Sequence, residues 1–225
     1  MKSLSLAASV MAMNHSALGD EMRASDAAGI DLFHWDIMDG HFVPNMTFGA
    51  AALRDLRSVT NKEFDTHLMV TNPAQWIDDF AKAGSNAITF HAELDDLDII
   101  ALAQKIRAHG IQAGLAFNPD TPLDHVPQDV FAHIDRILIM TVFPGFGGQA
   151  FIDQSAKIQQ AVLLKQRFPH LCIAVDGGIN LDTAPIAIKA GADLLVSGSA
   201  LNKASSQADF ITAIKQQAIA AGALA

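Results

Sequence analysis

A short apolar run, a loop, an amphipathic stretch and a glycine or asparagine stop recur along the whole chain. That order leaves little choice but a parallel sheet wrapped by helices. The apolar runs fall at 4–11, 31–37, 64–70, 86–91, 111–116, 135–142, 171–176 and 193–197. Helical patterns stand between them at 20–28, 73–83, 97–109, 153–168 and 182–190, and a last one at 207–221 closes the chain. Gly29, Gly84, Gly110 and Gly191 each stand just ahead of the next run, as C-terminal helix caps do. Units averaging about 28 residues across 225 residues predict an α/β fold, a closed (β/α)8 barrel in which 1–225 form one domain. The competing open, doubly wound sheet would carry G-x-G-x-x-G at its first turn, and this chain does not.

The stretch FHWDIMDGHFVPN, 33–45, tests that expectation. Side chains alternate along a strand, so Phe33, Trp35 and Ile37 share one face while His34, Asp36 and Met38 share the other. The apolar face suits packing against helices, which puts an imidazole and a carboxylate inside the barrel. FDTHLMV repeats the arrangement with Asp65, His67 and Met69. LCIAVDGG sends Leu171, Ile173 and Val175 outward and Cys172, Ala174 and Asp176 inward. Small inner residues ending in a carboxylate at the carboxyl end of a strand are how a barrel presents a catalytic group. Other strand ends offer Ser9, His91 and Met140.

A lone buried His or Asp is most often a hydrogen-bonded core residue. Here His34, Asp36, His67 and Asp176 agree in parity and in position along their strands, and unpaired buried carboxylates are costly. Together they point to a divalent-metal site. Asp65 fits a supporting or structural role, and the role of His91 is left open. Glycine-rich loops follow the sixth, seventh and eighth runs: TVFPGFGGQ with Gly145, Gly147 and Gly148, DGGIN with Gly177 and Gly178, and SGSALN with Gly198 and Ser199. Loops after strands 7 and 8 are the usual phosphate seat of such barrels. With no Lys or Arg in these loops, the donors would be backbone amides, which lets an acidic chain hold an anion.

Charge and composition remove other classes. Half the residues are hydrophobic and 17% are charged, enough apolar material for a large core. The formal net charge is −9 with no basic cluster, which excludes nucleic acid and membrane surfaces as partners. One cysteine, Cys172, cannot form an intramolecular disulfide and suits a reducing compartment. Lys2 and the apolar run after it resemble a secretory leader. Cleavage there would delete the first unit, so 4–11 is taken as the first strand and the chain as cytoplasmic.

The segments HWDIMDGHFVPNMTFG, DTHLMV, ITFHAE, MTVFPGFGGQAFI, VDGGIN and VSGSALN together resemble the ribulose-phosphate 3-epimerase family. The resemblance implies a metal-dependent (β/α)8 barrel that inverts C3 of a phosphorylated ketose. It implies His34, Asp36, His67 and Asp176 as ligands of one divalent ion (zinc, iron(II), manganese or cobalt), and Asp36 and Asp176 as acid and base. It also implies that Ser9 contacts substrate, that Met38, Met69 and Met140 line the reacting centre, and that Gly145, Gly147, Gly148, Gly177, Gly178, Gly198 and Ser199 belong to the substrate and phosphate loops. A homo-oligomer is expected.

Two stretches depart from the family pattern. The first strand, Ala8-Ser9-Val10-Met11-Ala12-Met13-Asn14, is closer to allulose-6-phosphate 3-epimerases, and Phe143 replaces a usually polar residue. Both are expected near the sugar. The expected reaction is therefore interconversion of D-ribulose 5-phosphate and D-xylulose 5-phosphate, with a D-allulose-6-phosphate 3-epimerase or a non-catalytic phosphosugar-binding barrel as alternatives. A decarboxylase of the orotidine-phosphate type would need Asp-x-Lys-x-x-Asp, but Asp36-Ile37-Met38-Asp39 has no lysine.

Overall fold

A computed structural model describes residues 4–94 and 97–222; Lys2, part of the leader-like pattern, lies outside them. Strands β1 (Ser5–Ser9), β2 (Leu32–Met38), β3 (Glu63–Met69), β4 (Ala87–His91), β5 (Gln112–Phe117), β6 (Arg136–Met140), β7 (Cys172–Asp176) and β8 (Leu194–Ser197) form a closed parallel barrel. The first strand does enter the sheet, with Ser5 beside Leu194 and Ala8 beside Ser197 closing the ring. Around it run α1 (Leu18–Ala27), α2 (Ala50–Leu56), α3 (Ile77–Ala83), α4 (Ile99–Arg107), α5 (Ser155–Leu164), α6 (Ala184–Ala190), the short α7 (Ser199–Asn202) and α8 (Gln207–Ala220). Among the described residues, no helix is long and apolar enough to cross a membrane.

Strand alternation divides the apolar residues into two cores. Phe33, Trp35 and Ile37 join Phe64, Phe90, Ile137 and Val175 in the layer between sheet and helices. Ala7, Ala116, Leu138, Ala174 and Val196 fill the barrel interior, where crowding favours small side chains. Gly114 shows how tight that interior is: a Cβ there would lie 2.2 Å from Thr89 Oγ1.

Two connections bear on the strand–helix alternation, one as the sequence pattern has it and one not. The fifth crossover has no α-helix; it turns through 3-10 segments at Leu123–His125 and Gln128–Ala132. Pro119, Pro122 and Pro127 remove backbone donors and clash with a continuing α-helix, so the chain takes short turns instead. Conversely, α2 forms in a stretch that the sequence pattern did not mark, beginning after Gly49 and running through AAALRDL.

The amino ends of the strands are tied by a fourfold device. Asp31, Asn86, Asp135 and Asp193 stand immediately before β2, β4, β6 and β8. Each donates its backbone N–H to a carbonyl at the start of the preceding strand, on Leu6, Phe64, Ala113 and Ile173 respectively. Each side chain then accepts that same residue's N–H, at 2.8–2.9 Å. Removing the acceptor strands a buried donor, which costs about 1–3 kcal/mol. Asp135→Ala is therefore expected to lower unfolding free energy by about that amount, and Asp135→Asn, which keeps an acceptor, by less. Chemical denaturation of the two variants compares them; equal stability of Asp135→Ala and wild type would refute the assignment.

Candidate active site

At the carboxyl end of the barrel, β2, β3 and β7 bring His34, Asp36, His67 and Asp176 together, with one ligand atom from each lying within 4.8 Å of the others. His34 Nε2 stands 3.4 Å from Asp36 Oδ1 and 3.6 Å from Asp176 Oδ2. His67 Nδ1 stands 3.5 and 3.9 Å from the same two oxygens. Both nitrogens are buried and make no hydrogen bond. Donors placed about 2.0–2.2 Å from one centre lie about 3.3–3.6 Å apart along the edges of a tetrahedron. Two orphaned imidazole nitrogens and two carboxylates at these spacings therefore fit a divalent cation.

The far nitrogens of the two rings are held differently. His34 Nδ1 hydrogen-bonds Asp65 Oδ2 at 2.8 Å, and Asp65 pairs with the buried Arg136 of β6. Asp65 thus supports His34, the kind of role its position suggested. His67 Nε2 lies 2.9 Å from His91 Nε2, and His91 Nδ1 lies 2.8 Å from Glu93 Oε2. The sequence left His91 open and gave no sign of Glu93 or Arg136, although ITFHAE contains the first two. Their roles depend on neighbours across the barrel, which no linear spacing reveals.

The electrostatics separate the two carboxylates. Burial alone would raise Asp36, but the His34 charge and the close approach of His34 and His67 outweigh it and hold Asp36 well below the usual carboxylate range. Burial, reinforced by the Asp36 charge, pushes Asp176 up to about 7. Burial works against the His34 cation, yet Asp36 and Asp65 hold its pKa well above the ordinary value. His91 is depressed to about 4, first by burial and then by the neighbouring His67, despite Glu93. Near neutrality the protein's own groups thus leave one carboxylate ionised and the other able to carry a proton.

Above the cluster lies a cavity of about 340 Å³. Ser9, Asp36, Met38, Met69, Met140 and Asp176 line it, together with Gly145, Gly147, Gly148, Gly177, Gly178, Gly198 and Ser199; His34 and His67 lie buried beneath. Ser9 Oγ donates to Asp36 Oδ2 at 2.7 Å, fixing the carboxylate at the end of β2. Gly177 has φ +118, and a Cβ there would fall 2.6 Å from Val142 Cγ2 and 2.8 Å from Val142 N. Only glycine lets the loop after β7 lie this close to the loop after β6.

Two expectations change here. Met11 and Ala12 do line the cavity, but Phe143 does not; its side chain is exposed at the rim. The wall near the glycine loops also carries a cation, Lys203, which follows SGSALN at the end of α7. It stands just beyond the loop residues in sequence, and the fold brings it back to the cavity.

Comparison with known proteins follows the same lines. A family model described as "Ribulose-phosphate 3 epimerase family" matches residues 5–202. Ribulose-phosphate 3-epimerase of Mycobacterium bovis is 42% identical over 218 residues, covering 96% of this chain and 93% of that protein. The Bacillus subtilis enzyme of the same name is 40% identical over 215 residues, covering 94% and 98%. A rice relative, named as the cytoplasmic isoform, is 38% identical over 213 residues, covering 94% and 92%. Among solved structures, KGPDC from Streptococcus mutans superposes with a TM-score of 0.71 at 13% identity, covering 97% and 98%. 3-Hexulose-6-phosphate synthase from Salmonella typhimurium gives 0.65 at 18%, covering 97% and 100%. At these identities the structural likenesses speak for the barrel alone.

Proposed function

The chain belongs to the ribulose-phosphate 3-epimerase family, a family of isomerases, and from that premise we propose that it interconverts D-ribulose 5-phosphate and D-xylulose 5-phosphate. The observation that carries the mechanism is the pair Asp36 and Asp176, on strands separated in sequence but meeting at one cavity, with their proton affinities driven apart. Inversion at C3 requires a proton taken from one face and another delivered to the opposite face. In this reading one carboxylate takes the C3 proton, and the electron pair moves into an enediolate. The other carboxylate delivers a proton to the opposite face; reversing the roles runs the reaction backward.

His34, Asp36, His67 and Asp176 would hold one divalent ion, of the class of zinc, iron(II), manganese or cobalt. When bound, it supplies positive charge beside the carbonyl and enediolate oxygens. Met38, Met69 and Met140 give the reacting carbon a polarizable wall with no acidic proton, which protects the enediolate from protonation on the wrong face. Ser9 orients Asp36 and stands ready to contact substrate. The phosphate would rest against the backbone of Gly147, Gly148, Gly177, Gly178, Gly198 and Ser199, beside Gly145, with Lys203 adding charge. A cytoplasmic setting and a homo-oligomer belong to the same proposal.

The pentulose pair is favoured over allulose and fructose 6-phosphates because the distance from phosphate seat to carboxylates limits the carbons between them. A chain one carbon longer must buckle or displace C3, and small misplacements of reacting atoms are costly. The names of the relatives that are about 40% identical support the same choice. Met11, adaptable in shape, would tolerate either length. Side-by-side kinetics should give the higher kcat/KM for the five-carbon pair. Preference for the six-carbon pair would select the allulose-6-phosphate alternative, and no turnover of either would select a non-catalytic barrel.

A further inference from the structure

His34 and His67 face the cluster with different nitrogens, Nε2 and Nδ1. An imidazole nitrogen can bind a cation only through a free lone pair, so each ring must carry its proton on the far side. For His34 the far side meets a carboxylate directly. For His67 it meets another imidazole, and two neutral rings facing Nε2 to Nε2 can share their single proton in either of two orders.

Glu93 breaks that symmetry. Its Oε2 lies 2.8 Å from His91 Nδ1, and its Oε1 accepts the Asn118 N–H at 2.7 Å. The carbonyls of Asn118 and Pro119 accept from Lys157 Nζ at 2.7 and 2.9 Å, which brings a positive charge to the same corner. An ionised carboxylate can only accept, so His91 Nδ1 must donate to it. His91 Nε2 then holds a lone pair, His67 Nε2 must donate to that, and His67 Nδ1 is left free toward Asp36 and Asp176. We infer that Glu93 and His91 are positioning residues that fix the tautomer of His67, and that Glu93 thereby decides whether His67 can hold a cation. This rests on reading the four-residue cluster as a metal site.

The chain of donors makes an unusual prediction for the isosteric variant. In Glu93→Gln the backbone N–H of Asn118 still demands an acceptor, so the amide oxygen turns to it and the amide NH₂ faces His91. That reverses every donor in the chain and places the proton on His67 Nδ1. Glu93→Ala imposes no order and leaves His91 free to choose. The near-isostere should therefore be the more damaging change, an order that a space-filling or merely structural role would not produce.

Two readouts decide it on the full-length protein. In metal-free protein labelled with ¹⁵N-histidine, His67 Nδ1 should resonate as an unprotonated nitrogen in the wild type and as a protonated one in Glu93→Gln. Cobalt(II) binding, measured by chelator competition, should weaken about 10–100-fold in Glu93→Gln and less in Glu93→Ala. An unchanged His67 tautomer in Glu93→Gln, or cobalt affinity within twofold of wild type, overturns the inference, as does a larger loss in Glu93→Ala. If the wild type itself binds no cobalt(II), the metal reading falls, whereas the tautomer measurement, made without metal, still decides the role of Glu93.

Discussion

Asp176→Asn is expected to abolish epimerisation, lowering kcat by about 10²–10⁴-fold, the usual contribution of a positioned acid or base. The amide keeps the shape and removes the titratable proton from a carboxyl group that burial and a negative neighbour raise to about 7. Asp36→Asn should be equally damaging for the complementary reason: the carboxylate held ionised by His34 can no longer accept a proton. The two variants should differ from a simple loss of binding in one respect. Inversion needs both faces, but exchange of the C3 hydrogen needs only one, so each variant should retain deuterium exchange from solvent into one epimer and not the other. Because both residues also contribute to the cluster, metal content has to be measured on the same samples. A variant that keeps its metal and turns over near the wild-type rate would show that its carboxylate is not an acid or base of this reaction.

What could be read from the chain was mostly parity. Alternation in FHWDIMD, FDTHLMV and LCIAVD assigned an inner and an outer face to β2, β3 and β7, and the core divides along those lines. Glycines marked helix ends because a left-handed cap is a local property: Gly29, Gly84, Gly110 and Gly191 all have positive φ. The features that escaped depend on distant partners. Nothing near Asp135 announces that it will accept from Ala113, and nothing in HAE shows that His91 and Glu93 will line up behind His67. The fifth crossover carries no helical pattern in the sequence either, because Pro119, Pro122 and Pro127 interrupt it locally, whereas α2 escapes because AAALRDL is short and follows a loop without a capping side chain. A loop residue has no period from which to read its direction, so the exposure of Phe143 is not legible in the sequence, and Lys203 reaches the cavity only because the fold turns back at the end of α7.

Removal of the divalent ion is expected to lower activity by several kcal/mol of transition-state stabilisation, on the order of 10³-fold. In the proposed reaction the enediolate would gather negative charge beside Asp36 and Asp176, and the cation that the described residues place within the cluster, His34, is already engaged by Asp36 and Asp65. The same groups predict how tightly the ion is held at each pH. Asp176, raised to about 7, must be unprotonated to bind, and His34, raised well above its ordinary value, must release the proton facing the cluster. Both shifts favour protons over the cation as acidity increases, so affinity should fall as pH drops through about 7. The loss should be roughly tenfold per pH unit for each proton displaced, hence between tenfold and a hundredfold where both are released. Chelator titrations at several pH values, with proton release followed by calorimetry in two buffers, measure this directly. Stripped protein should regain activity with zinc, iron(II), manganese or cobalt. Full turnover in a demonstrably metal-free preparation would refute the metal's role, and an affinity that does not change with pH would refute the protonation states assigned to Asp176 and His34.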